Sequence, residues 1–168
     1  MVRFQLLEST LVFAVGRFMH PGGGSVPPQL TMSVLYEIPF ASLVKVFSSI
    51  PVVLAGSEPP FSRLEEDTDE TRQLVADFAS AAKLCTAAEE KRNQLMHSSW
   101  FANIAPHDGS VLRVKMRTTK KGARSAMVRE SVETVTAAIA AIDAASLATF
   151  TASATLNFSL FPIDEDAA

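Results

Sequence analysis

The residues best suited to chemistry sit in one short run, Arg92-Asn93-Gln94-Leu95-Met96-His97, followed by Ser98, Ser99 and the chain's only tryptophan, Trp100. Asn93 and His97 are four apart. On a helix they lie one above the other, so the amide can hydrogen-bond the imidazole and set its tautomer. Arg92 is five residues before His97, about 140° round an ideal helix, and reaches the same place only through its long side chain, a distorted helix end or a second protomer. An imidazole exchanges protons near neutral pH, and a guanidinium offers a fixed charge with forked donors for a phosphate. Together they suit phosphodiester chemistry. The alternative is a solvated helix end in which Arg92 pairs with Glu89 and the other two residues only decorate the surface.

Such a run needs a scaffold, and the periodicity of apolar residues supplies a helical one. Leu74, Phe78, Ala81, Cys85 and Ala88 recur at helical spacing, and continuing the same steps arrives at Arg92, Leu95 and Ser99. Ser62 with Glu65, and Asp67 with Glu70, have the spacing of a capping box ahead of this helix. Phe4, Leu7, Leu11, Val15 and Phe18 predict an earlier helix over 2–18, and Phe40, Leu43, Val44, Phe47 and Ile50 another over about 39–50, opened by Pro39 and ended at Pro51. Between them, 20–29 reads as a Gly/Pro loop, and Leu30–Ile38 partly alternates. A final Ala-rich helix runs from Val128 to about Leu147, with Val132, Val135, Ile139 and Ile142 on one face. Beyond it, "FTASATLNFSL" alternates apolar and polar residues; this favours a strand, with a helix extension left open.

A second chemical signal precedes the last helix. Leu112, Val114 and Met116 alternate with Arg113, Lys115 and Arg117, a strand signature, and "TTKKGARS" can turn that strand into a hairpin spanning about 110–128. Arg113, Lys115, Arg117, Lys120, Lys121, Arg124 and Arg129 are seven of the fifteen Lys and Arg residues, and no acidic residue falls between 113 and 129. Such a ribbon can track a phosphate backbone; it can also be a charged edge that resists aggregation. Trp100 and Phe101 can stack on a base or close the core.

The run "RNQLMH" has the form R-N-x-x-x-H, and with "HSSW" after it resembles the signature of HEPN domains, small helical bundles that carry Arg, a polar residue and His near the end of a long helix. The likeness covers most of the chain in layout and about a dozen residues in sequence. It implies a metal-independent endoribonuclease, without cofactor, whose site forms between two domains, so a homodimer is expected. Arg92 and His97 would be the reactive pair and Asn93 the residue that orients them, with the basic hairpin as an insertion that contacts RNA. A role as a toxin or phage-defence effector, with an antitoxin or inhibitor protein as partner, goes with the same analogy. The runner-up is a non-catalytic helical module that binds a protein or nucleic acid.

The whole chain sets the outer bounds. Its 168 residues suffice for one domain, 1–168, and 48% hydrophobic with 20% charged residues is ordinary globular usage. A net charge of −3 hides the uneven placement of the cations. Cys85 is the only cysteine, which excludes an internal disulfide and suits a cytoplasmic protein. His20 and His107 lack a partner at metal-ligand spacing, and "PGGGS" is not followed by Lys-Ser/Thr as a phosphate loop requires. The start of the chain is interrupted by Glu8 and Arg17 and reads as a helix, not a signal peptide. Ala144–Ile163 carries no charge, but seven of its positions are Ser, Thr or Asn, so no membrane span is expected. The fold expected is mainly α: a bundle of about four helices with a β-hairpin inserted before the last.

Overall fold

The computed structural model describes residues 2–19, 29–56, 64, 68–96, 98–101, 110–119 and 122–160. The fold is mainly α, with α1 (Val2–Met19), α2 (Gln29–Tyr36), α3 (Phe40–Ala55), α4 (Asp69–Met96) and α5 (Val132–Leu160). Between α4 and α5 lie β1 (Ser99–Phe101), β2 (Val111–Thr119) and β3 (Gly122–Glu130), an antiparallel sheet in the order β1-β2-β3. The hairpin before the last helix is therefore present, and a short strand from the end of α4 adds a third member.

The apolar stripes become the core. Phe4, Leu7, Leu11 and Val15 of α1, the five apolar positions of α3, and Leu74, Phe78, Ala81, Cys85 and Ala88 of α4 are all buried. The rings of Phe47 and Phe78 stack with centroids 4.5 Å apart, joining α3 to α4. Alanines fully buried on both α4 and α5, at Ala81, Ala88 and Ala145, let these two long helices approach closely. At their contact the Cys85 Sγ and Thr149 Oγ1 lie 3.3 Å apart.

Two local expectations are corrected, and one alternative left open by the sequence is settled. The helix α3 does not end at Pro51 but runs through it to Ala55. The lost amide costs one backbone bond, and the buried proline ring, with Leu54 and Ala55 packed on the core, offsets it. The partly alternating stretch after the first loop forms the helix α2, with Leu35 buried. The segment 150–160 continues α5 and is not a strand. Thr149, Ala152 and Leu156 are buried at helical spacing, and Ser153, Thr155 and Ser159 donate to the carbonyls four residues back at 2.8, 3.0 and 3.2 Å. Alternation there reflects hydroxyls that the helix itself satisfies.

The cap of α4 is Thr68, whose Oγ1 accepts from the Thr71 amide at 3.1 Å. Ser62, Glu65 and Asp67 lie outside the described residues, whereas Asp69 and Glu70 occupy the first turn, where acidic charge favours the helix dipole. Among the described residues α5 is the one helix long and apolar enough to cross a membrane, over Val132–Asn157. It packs its buried stripe against α4 and α1, an arrangement compatible with a soluble protein.

Candidate functional site

Helix α4 carries Arg92 and Asn93 in its last turns, and both are half-buried. The Arg92 Nη1 donates to the Asn93 Oδ1 at 2.9 Å. Its guanidinium carbon lies 4.9 Å from the centre of the Phe4 ring, and that ring packs on Phe40 at 4.8 Å. A cation over an aromatic face is attracted by the ring quadrupole, so Phe4 holds the guanidinium from below while Asn93 holds it from the side. Among the described residues Arg92 has no carboxylate partner, so the pairing with Glu89 that the sequence allows is not formed.

Arg92 opens on a groove of about 480 Å3 between α1, α4 and the start of α5. Phe4, Glu8, Met96 and Ile139 bound it together with Arg3, whose guanidinium is paired with Asp143. The sequence shows Phe4 only as part of an apolar stripe; its role as a platform for Arg92 depends on how α1 meets α4, which spacing within either helix does not show. His97 lies outside the described residues. Arg92 and Asn93, hydrogen-bonded to one another, stand five and four positions before it.

Downstream, β1 follows α4 after Ser98 and pairs with β2, with Trp100 opposite Arg113. The Ser98 hydroxyl donates to the Gln94 carbonyl at 2.7 Å. Arg113 is buried, 9% exposed, and its Nε and Nη2 contact the Glu130 Oε1 at 2.6 and 2.5 Å. Its Nη1 donates to the Gln94 carbonyl and the Ser98 Oγ, each at 3.3 Å. A cation on the last carbonyls of a helix is favoured by the helix dipole. Counting Arg113 among residues that contact RNA is therefore corrected: its donors are committed, and it pins the base of the hairpin to the end of α4.

The rest of the basic ribbon is ordered by register. Lys115 is half-buried and pairs with Ala126; Arg117 is directly opposite Arg124. Lys115 shares one face of the hairpin with Arg113, two positions before it. Arg129 pairs with Leu112 and belongs to the other face, beside the register of Val114 and Met127. Lys120 and Lys121 connect the paired Thr119 and Gly122 and lie outside the described residues.

Cys85 is inert in this setting: burial pushes its thiol up, an effect opposed in part by the contact with Thr149. Glu133, at the start of α5, is held below the usual carboxylate range by the Ser131 hydroxyl and then by its own backbone amide. No group of three His, Cys, Asp or Glu residues able to hold a metal ion occurs among the described residues. His20 and His107 lie outside them.

Comparison of the chain with family models, with characterised proteins and with solved structures returns no match.

Proposed function

We propose that the chain is a metal-independent RNA endonuclease of the HEPN type, with Arg92, Asn93 and His97 as its working residues. The observation that carries the reading is the state of Arg92: half-buried, braced by Asn93 and the Phe4 ring, and without a carboxylate among the described residues. A guanidinium kept charged and unneutralised beside a groove is suited to stabilise negative charge growing on a phosphate. His97 would move a proton at the 2'-hydroxyl or at the leaving oxygen. The Asn93 oxygen accepts from Arg92, and its NH2 would donate to the unprotonated imidazole nitrogen and hold the other as N–H.

The ribbon adds support. Seven of the fifteen Lys and Arg residues fall between 113 and 129 with no acidic residue among them, a run of one sign that a polyanion would neutralise. In this reading the protein works in the cytoplasm as a homodimer, two copies sharing one cleft, in the role of a toxin or phage-defence effector controlled by an antitoxin or inhibitor protein.

A second reading, a non-catalytic module that binds a partner, is favoured by one observation. The start of α5 exposes Val132, Val135 and Ile139, an apolar strip beside the same groove. Incubation of wild-type and His97→Ala protein with mixed single-stranded and structured RNA in EDTA separates the two. Cleavage by wild type alone, leaving 2',3'-cyclic phosphate ends, supports the nuclease; RNA left intact by both proteins favours the module.

A further inference from the structure

A second and larger groove lies along α1 and α5, away from Arg92. Arg3 meets Asp143 at one end of this seam, and Phe13, Ala14 and Arg17 share a cavity with Phe150, Ser153 and Asn157 at the other. The two helices thus run side by side in the same direction, and a concave space of about 550 Å3 lies between their C-terminal halves. That volume is in the range of small-molecule sites.

Its lining is mostly apolar, with Phe13 40% and Phe150 65% exposed as the two large side chains that border it. Aromatic groups left this open on facing helices offer area for an apolar body to slide between. The hydroxyls around them are already used. Thr10 donates to the Leu6 carbonyl at 2.8 Å, Ser153 to the Thr149 carbonyl at 2.8 Å, and Ser9 accepts from the Tyr36 hydroxyl at 3.2 Å.

Two polar groups remain. Arg17, in the last turn of α1, forms no ion pair among the described residues. The Asn157 side chain also borders the groove, but its Oδ1 is closed off from solvent, with no hydrogen-bond partner among the described residues. One guanidinium with its fork of donors matches one carboxylate. Among the described residues the groove holds one cation, so the second charge of a phosphate dianion would go unpaired there, and a cationic ligand would be repelled.

We propose that this groove binds an amphipathic monocarboxylate, a medium-chain fatty acid, with the carboxylate on Arg17 and the chain between Phe13 and Phe150. The proposal stands apart from the nuclease reading, because none of its residues borders the Arg92 groove.

The test is a titration of the full chain with decanoate and with decanol, read by calorimetry and by the methyl NMR shifts of Ala14 and Ala154. Decanoate should saturate at one per chain and bind at least tenfold more tightly than decanol, with shifts at both alanines. Arg17→Gln should bring decanoate down to the level of decanol and leave decanol unchanged. Phe150→Ala, at an exposed position, should weaken both ligands. Equal affinity for acid and alcohol, non-saturating uptake, or decanoate binding unaffected by Arg17→Gln would each overturn the proposal. So would binding that emerges only after deletion of residues 161–168, which would make the groove a seat for the chain's own segment.

Discussion

Replacing Arg113 with alanine should release the hairpin from the bundle while the bundle stays folded. The side chains of Arg113 and Glu130 are only 10% and 11% exposed, so removing the guanidinium strands a carboxylate in a poorly hydrated place. Breaking a buried pair from one side costs about 3–5 kcal/mol, and giving up the interaction with the Gln94 carbonyl adds about 0.3–1 kcal/mol. No helix packs extensively on β2 or β3 among the described residues. The cost therefore falls on the docking of the hairpin, and its observable part stops at the free energy that holds the hairpin down. Native-state hydrogen exchange is the assay. Amides of 111–119 and 122–130 should exchange roughly a hundredfold faster or more, at about 1.4 kcal/mol per tenfold, while the core amides of α4 and α5 keep their protection. The double substitution Arg113→Met with Glu130→Leu should recover most of the stability, since it removes both charges. Unchanged hairpin exchange in Arg113→Ala, or a fall in global stability with the hairpin still protected, would refute the assignment of Arg113 as the tether.

Three further outcomes are expected. Phe78→Ala removes a ring that is 0% exposed and stacked on Phe47, so denaturant unfolding should show a loss of about 3–5 kcal/mol; a loss below about 1 kcal/mol would mean that the α3–α4 core is not packed as described. Burial raises the Cys85 thiol above its ordinary value. Below that value both folded and unfolded chains are protonated and stability is indifferent to pH; above it only the unfolded chain ionises, so stability falls as pH rises. Urea melts over about pH 8–10 should show this slope in wild type and not in Cys85→Ala, and parallel curves would contradict it. Lys120→Glu with Lys121→Glu should weaken RNA binding and reduce the slope of log affinity against log salt by about 0.7 for each phosphate that is no longer neutralised. An unchanged slope would remove the hairpin as a phosphate track.

Where sequence reading succeeded, one physical rule was enough. Apolar stripes at helical spacing in α1, α3 and α4 are buried, with Phe18 at the end of α1 half-buried, because a helix with one apolar face has one way to hide it. It erred, or left two readings open, where a second partner outweighed a local preference. Pro51 breaks helices in isolation, yet packing carries α3 past it. The Ser/Thr alternation in 150–160 imitates a strand, yet α4 and α1 need a helix there, and the helix backbone accepts the hydroxyls.

The candidate site divides along the same line. Arg92, Asn93 and His97 are visible as a motif because the chemistry of the three side chains and their spacing along the chain are properties of a short segment. The basic ribbon is visible for the same reason, as an uninterrupted run of one sign. Tertiary structure decided what spacing along the chain does not encode: that Phe4, eighty-eight positions before Arg92, lies beneath its guanidinium, and that Arg113 of the ribbon is turned inward to Glu130. A charge is written in the sequence, but whether it meets water, a carboxylate or a ring depends on which elements the core has brought against it.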